Sequence, residues 1–208
     1  MRILVLSPHT DDAEIGCGGT MARMKEADVD IVVAVFSTAE ESLPEGVPKD
    51  ALVREFHESM DILGVPEDNR LVHGYKVRRM HEVRQKVLET LIGLQDKLKP
   101  DIVFTPSGHD VHQDHQVLHM ESLRAFRDSS IYGYELPRNH LEYHNQGFCI
   151  LEERHVVKKL DMLSCYKSQF ELNRSYFEAD FVMSLARVRG VQVGSYLAES
   201  FEVYRSIL

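Results

Sequence analysis

The chain has 208 residues, 43% of them hydrophobic and 27% charged, with a formal net charge of −9. That length and balance suit a globular fold with a sizeable core, and the negative charge excludes a general nucleic-acid binder, which needs a basic surface to neutralise phosphates. Three cysteines (Cys17, Cys149, Cys165), odd in number and without a CxxC pair, give neither a disulfide framework nor a thiolate zinc site, and they point to a reducing compartment. The apolar run before Ser7 is too short for a signal-peptide core. The longest later run, Ile31–Phe36, is too short to span a membrane, so the expectation is a cytoplasmic protein without a membrane span.

Ile3–Leu6 reads as a first buried strand, followed by a polar loop from Ser7 and a helix over Thr20–Ala27. Gly16, Gly18 and Gly19 fall where a backbone can approach another group closely. Asp30–Phe36 is a continuous apolar strand, as in a parallel sheet covered on both faces. Ser37–Lys49 is a long polar loop over the same end of the sheet. Helical spacing marks Asp50–Leu63, stopped by Gly64, and Glu82–Leu98, stopped by Pro100, with a short strand at Leu71-Val72 and a basic run at Lys76–Arg79 between them. Asp101–Thr105 is the next strand, Gln116–Phe126 a helix and Ile131–Tyr134 a strand. Up to about residue 135 the alternation of strand and helix predicts an α/β fold with a parallel sheet and right-handed crossovers. Beyond Pro137 the pattern weakens to a strand at Gly147–Leu151, helices at His155–Tyr166 and Tyr176–Arg189, and a final strand at Phe201–Tyr204. No repeat or linker separates this region, so 1–208 is read as a single domain with a C-terminal extension.

Two polar clusters each follow a predicted parallel strand and so share one end of the sheet, where open α/β sheets bind ligands. The first offers His9, Asp11 and Asp12; the second offers His109, His112, Asp114 and His115. One histidine and one aspartate from the first loop with one histidine from the second make three ligands for a divalent metal and leave a fourth position open. A bound divalent ion polarises a carbonyl and lowers the pKa of water. Amide hydrolysis then needs a base, for which Asp11 is placed, and a donor for oxyanion and leaving amine, for which His112 is placed; Asp114 would hold His112 in its protonated form.

His9-Thr10-Asp11-Asp12 with Gly16-Cys17-Gly18-Gly19-Thr20, and His112-Gln113-Asp114-His115, resemble the two motifs of the PIG-L/LmbE family of metal-dependent N-deacetylases. Pro100–Ser107 and Tyr196–Val203 resemble members of the same family, so the likeness runs over nearly the whole chain. It implies a Rossmann-like three-layer fold with a mostly parallel sheet, and a zinc-dependent amidohydrolase acting on N-acetylglucosamine-type sugars. By position it implies His9, Asp12 and His115 as metal ligands, Asp11 as general base, His112 as oxyanion stabiliser and proton donor, and Asp114 as the carboxylate that tunes His112. Thr10 stands where the family has proline, Ala13 where many members have glutamate, and Leu52 where members often carry an arginine three residues before the equivalent of Glu55. Histidine and carboxylate ligands also admit iron(II), cobalt or manganese.

Other features carry plainer readings. His109 is expected at the rim, and the remaining histidines have no metal partner in register. The glycine run lies too far from the first strand for a dinucleotide turn. Lys76–Arg79 is either a solvated charge run or a contact to an anionic part of the substrate. Cys17 has no base partner and reads as a packed thiol. The expected partner is a small amino-sugar substrate, and the sequence leaves room for a homo-oligomer. The rivals are an amidohydrolase of another small N-acyl compound, and a non-catalytic α/β module binding a metal or nucleotide.

Overall fold

A seven-stranded sheet runs in the order β3-β2-β1-β4-β5-β7-β6. The structure, a computed structural model, describes residues 1–207. Strands β1 (Arg2–Ser7), β2 (Asp30–Val35), β3 (Arg70–Val72), β4 (Ile102–Pro106) and β5 (Ser130–Tyr134) are mutually parallel. β7 (Leu197–Arg205) returns antiparallel to β5, and β6 (Gly147–Leu151) pairs antiparallel with its outer edge.

The continuous apolar runs are explained by burial on both faces. Successive side chains of a strand point to opposite sides. Ile3 and Val5 therefore join Ile31, Val33 and Val35 in one core with α1 (Asp12–Glu26), α2 (Ala51–Leu63), α5 (Glu153–Leu163) and α7 (Ala179–Val191). Leu4 and Leu6 join Val32, Ala34, Val103 and Ile131 in a second core with α3 (Arg84–Leu98) and α4 (Gln113–Ala125). The result is the three-layer α/β architecture expected. Each fully buried aliphatic side chain contributes on the order of 1.5–3 kcal/mol. A short helix, α6 (Lys167–Phe170), lies between α5 and α7. Among the described residues no helix is long and apolar enough to cross a membrane.

The chain leaves β1 for β2 and β3 on one side, then returns to place β4 on the other side of β1. This reversal opens a crevice beyond the C-terminal ends of β1 and β4. Both polar clusters enter it.

Element boundaries differ from the sequence pattern where tertiary packing overrides local propensity. α1 begins at Asp12, not Thr20, and is broken at Cys17 (φ −144°, ψ 25°). Its glycines are there for close packing. A Cβ at Gly16 would stand 2.2 Å from the Tyr134 ring, one at Gly18 would meet Lys159, and one at Gly19 would meet Leu151. The space beside the glycine run is thus filled by protein. The break exposes backbone groups that a charged pair closes. Lys159 Nζ donates to the carbonyl of Ile15 at 2.7 Å, and Glu199 accepts from the N–H groups of Gly19 (3.0 Å) and Thr20 (2.6 Å) and from Lys159 Nζ (2.7 Å).

α4 likewise begins early, at Gln113, with His112 as its N-cap. α7 starts at Ala179 because Ser175–Phe177 forms a separate 3₁₀ turn. β7 starts at Leu197, earlier than predicted, because buried Glu199, Ser200 and Glu202 interrupt its apolar alternation.

Candidate metal centre and active site

His9 and Asp12 stand on the turn from β1 into α1, and His115 on the first turn of α4. His9 Nδ1 lies 3.0 Å from Asp12 Oδ2, His115 Nε2 lies 3.2 Å from the same oxygen, and the two nitrogens are 3.2 Å apart. The outward nitrogen of each ring is held by a buried carboxylate: His9 Nε2 by Asp114 Oδ2 at 3.2 Å, and His115 Nδ1 by Asp110 Oδ2 at 2.7 Å. With each ring neutral and its proton on that outward nitrogen, the inward nitrogens and the Asp12 oxygen bring three lone pairs to one point. Such a triangle repels itself unless a proton or a cation lies within it. Zinc bonds of ~2.0–2.1 Å at tetrahedral angles give edges of about 3.3 Å, so the donor set fits a divalent ion. A looser trio, His9, His112 and His115, has ligand atoms within 4.8 Å of one another.

The electrostatics agree with a site built for positive charge. Burial works against protonation of His9, but the Asp12 charge and the hydrogen bonds to Asp114 and Asp12 hold its pKa up at about 9. Burial is likewise outweighed at His115, whose pKa the Asp12 charge and the bond to Asp110 raise to about 10. Burial pushes Asp12 upward, yet His115 and His9 keep its carboxyl well below the usual range.

Asp11, Asp12, His9, His112 and His115 line one cleft of ≈ 240 Å³. Asp11 is 8% exposed and stands outside the triangle. Burial and the adjacent Asp12 charge raise its pKa to about 6. His112 is tilted against His115, ring centroids 4.5 Å apart, and edge-on to His9 at 4.9 Å. Burial, then the charges on His115 and His9, lower its pKa to about 4. Its Nδ1 accepts from the backbone N–H of Asp114 at 3.2 Å, so the neutral ring carries its proton on Nε2.

The PIG-L family (GlcNAc-PI de-N-acetylase) matches residues 4–126. The chain belongs to the PIG-L family. It is 28% identical to the uncharacterized deacetylase YaiS of Escherichia coli, over 80% of this chain and 90% of that protein. It is 27% identical to the diacetylchitobiose deacetylase of Thermococcus kodakarensis, over 55% of this chain and 45% of that one. The fold superposes on the crystal structure of the conserved protein TT1542 from Thermus thermophilus with a TM-score of 0.82 at 24% identity, covering 99% of this chain and 95% of that chain.

Within this PIG-L chain the six residues singled out from the sequence gather around one crevice, with one rearrangement. Asp114 does not grip His112 with its carboxylate. Its Oδ2 takes His9 Nε2 and the N–H of Arg78, and its Oδ1 takes the N–H of Met80 at 3.2 Å. Only the backbone of Asp114 touches His112, and it does so as a donor, which favours a neutral ring over the protonated one expected. His109 points elsewhere, its Nδ1 on Glu202 at 2.6 Å. Tyr166 supports the first loop from below, its hydroxyl donating to the carbonyl of Thr10 at 2.6 Å, and Gln169 reaches the cleft wall.

One residue that the motifs do not single out completes the second loop. Asp110 accepts through Oδ1 from the N–H of His112 (2.8 Å) and through Oδ2 from His115 and Asn139 (3.1 Å). The available signal was an aspartate two residues before a loop N–H, a common local turn.

Proposed function

We propose that the chain is a divalent-metal-dependent N-deacetylase that hydrolyses the acetamido group of an N-acetylglucosamine-type sugar or conjugate, releasing acetate and a free amine. The observation that carries this reading is the lone-pair triangle of His9, Asp12 and His115 beside a separate carboxylate, Asp11, and a separate imidazole donor, His112, in one cleft. His9, Asp12 and His115 would hold the metal, and zinc is the ion this donor set suits best. When bound, such an ion polarises the amide carbonyl and lowers the pKa of water.

The protein's own residues do the rest. Asp11 accepts a proton from the attacking water. His112 offers its Nε2 proton as a hydrogen bond to the oxygen on which negative charge develops. Because Nδ1 of His112 is already engaged as an acceptor, the proton that the leaving nitrogen needs returns from Asp11, whose carboxyl then serves as acid after serving as base. Asp114 and Asp110 fix the orientation of the two ligand rings.

The reading is tested by following amine release from a panel of N-acetylated amino sugars with the protein metal-loaded, chelated and restored. Activity lost on chelation and regained with zinc supports it; no release from any member by protein carrying its metal overturns it. Replacing Asp110 by asparagine removes the charge on the outward nitrogen of His115. The expected outcome is metal affinity about 10–100-fold weaker, read by competition with a chromophoric chelator.

A further inference from the structure

We propose that the chain has a second divalent-cation site, outside the cleft, in which His109, Glu142 and His144 hold an ion of the zinc type that ties the segment after β5 to the loop before α4. The inference stands apart from the deacetylase reading, because its test is metal binding at a place the proposed chemistry does not use.

Among the described residues two groups of three metal-ligating side chains bring their ligand atoms within 4.8 Å of one another. One is the histidine trio of the cleft, and the other is His109, Glu142 and His144. Sequence alone gives His144 no metal partner. The turn at Pro137–Asn139 carries Glu142 and His144 back beside the loop that follows β4. His109 Nε2 lies 3.5 Å from Glu142 Oε1, and the rings of His109 and His144 stand edge to face with centroids 4.6 Å apart. Two imidazoles and a carboxylate are a donor set that zinc accepts, with water in the fourth position. Glu142 and His144 are exposed, so rotations of their side chains can draw the three atoms from this loose spacing to bonds of ~2.0–2.2 Å.

A chance meeting of surface side chains would have nothing behind it. Here a buried carboxylate stands behind two of the three. Glu202 is 2% exposed, and its Oε1 takes His109 Nδ1 at 2.6 Å and the backbone N–H of His144 at 3.1 Å. With its proton on Nδ1, His109 presents the Nε2 lone pair toward Glu142. A ligand histidine is commonly held in this way, and Asp114 and Asp110 hold His9 and His115 likewise. Burial works against the charge of Glu202, yet the bonds from Ser107, Tyr204, the N–H of His144 and His109 keep its carboxyl below the usual range. Among the described residues no lysine or arginine pairs with it, and His109 is its one partner able to carry positive charge. A buried anion needs such a partner. A cation on Nε2 supplies the charge through the ring. A second proton on His109 would supply it too; that is the rival arrangement, and it binds no metal.

The place of the site gives it a role. His109 precedes Asp110, which accepts from His115 Nδ1, the N–H of His112 and Asn139. Asn139 lines the cleft, and its carbonyl accepts from the N–H of Val111 at 3.1 Å. Beyond it Leu141, Glu142 and His144 are exposed, which leaves the segment little buried surface to hold it. An ion there would clamp the segment to the second loop and steady the cleft wall without touching Asp11 or His112. Two exposed side chains must be ordered to bind it, so this ion is held more weakly than the first and leaves when free zinc is removed.

The test titrates protein already carrying its first zinc with further zinc by calorimetry, and follows backbone hydrogen exchange with and without the excess. The expected result is a second, weaker event of one ion per chain. At free zinc ten times its Kd, exchange through local opening of residues 137–146 should slow about 10-fold. Glu142→Gln and His144→Ala alter exposed side chains outside the cleft. Each should weaken the second event by more than the about 10–100-fold that loss of a supporting carboxylate costs, abolish the slower exchange and retain the first ion. Asp12→Ala, which loses the first ion, should keep the second. No second event up to the solubility limit of zinc overturns the proposal and leaves His109 as an imidazolium between two carboxylates. A second event that survives both variants also overturns it, the ion then lying elsewhere, and a second ion that leaves exchange at 137–146 unchanged overturns the clamp.

Discussion

Asp11→Asn should fold, take up its metal and release amine about 10³-fold more slowly than wild type, the range that a positioned acid–base group supplies. Asparagine keeps the volume and one acceptor oxygen of the aspartate but takes no proton from water. Asp11 stands outside the His9, Asp12 and His115 triangle, so its charge is not needed to hold the ion. The loss should fall on kcat with KM little changed, because Asp11 acts on the water and the leaving nitrogen and not on the body of the substrate. The checks are metal content beside steady-state kinetics. Near-normal kcat refutes the assignment of Asp11 as base, and lost metal would make it a ligand.

The second large effect is on stability. Glu199→Ala should destabilise the protein by about 3–5 kcal/mol, the usual cost of leaving a buried charge without its partner. Glu199 is 7% exposed and Lys159 6% exposed. Together they close the break in α1: Glu199 takes the N–H groups of Gly19 and Thr20 and the Thr20 hydroxyl, and Lys159 takes the Ile15 carbonyl. Truncation leaves two N–H groups and a hydroxyl without their acceptor and the Lys159 ammonium without its counter-charge. The half-helix preceding the break carries Asp12, so the metal site should loosen as well. Urea unfolding measures the effect. Adding Lys159→Met to Glu199→Ala should recover part of the loss, because the stranded charge is then gone. A loss below about 1 kcal/mol would place this pair among exposed ion pairs and contradict the capping role.

The sheet and both loops were legible in the sequence for a simple reason. β1 and β4 are apolar runs buried on both faces, and each ends abruptly in histidine and aspartate, so the change from core to crevice is written in consecutive residues. The early start of α1 was not legible. Gly16, Gly18 and Gly19 are poor helix formers, and the close approach of Tyr134, Lys159 and Leu151 that they permit is set only by the fold. The partner of the Asp114 carboxylate was not legible, because sequence spacing places Asp114 beside His112, whereas its side chain faces back across the crevice to His9. Asp110 and Glu199 act on residues brought near only by folding. Glu142 and His144 are far from His109 in sequence, and their meeting with it depends on the turn after β5.

The most direct measurement is the metal content of protein equilibrated with zinc and then freed of excess. One ion per chain is expected in wild type and in His112→Ala, and almost none in Asp12→Ala or His115→Ala. A wild-type chain that retains no ion, or an Asp12→Ala chain that retains as much as wild type while His112→Ala loses it, would contradict the centre described.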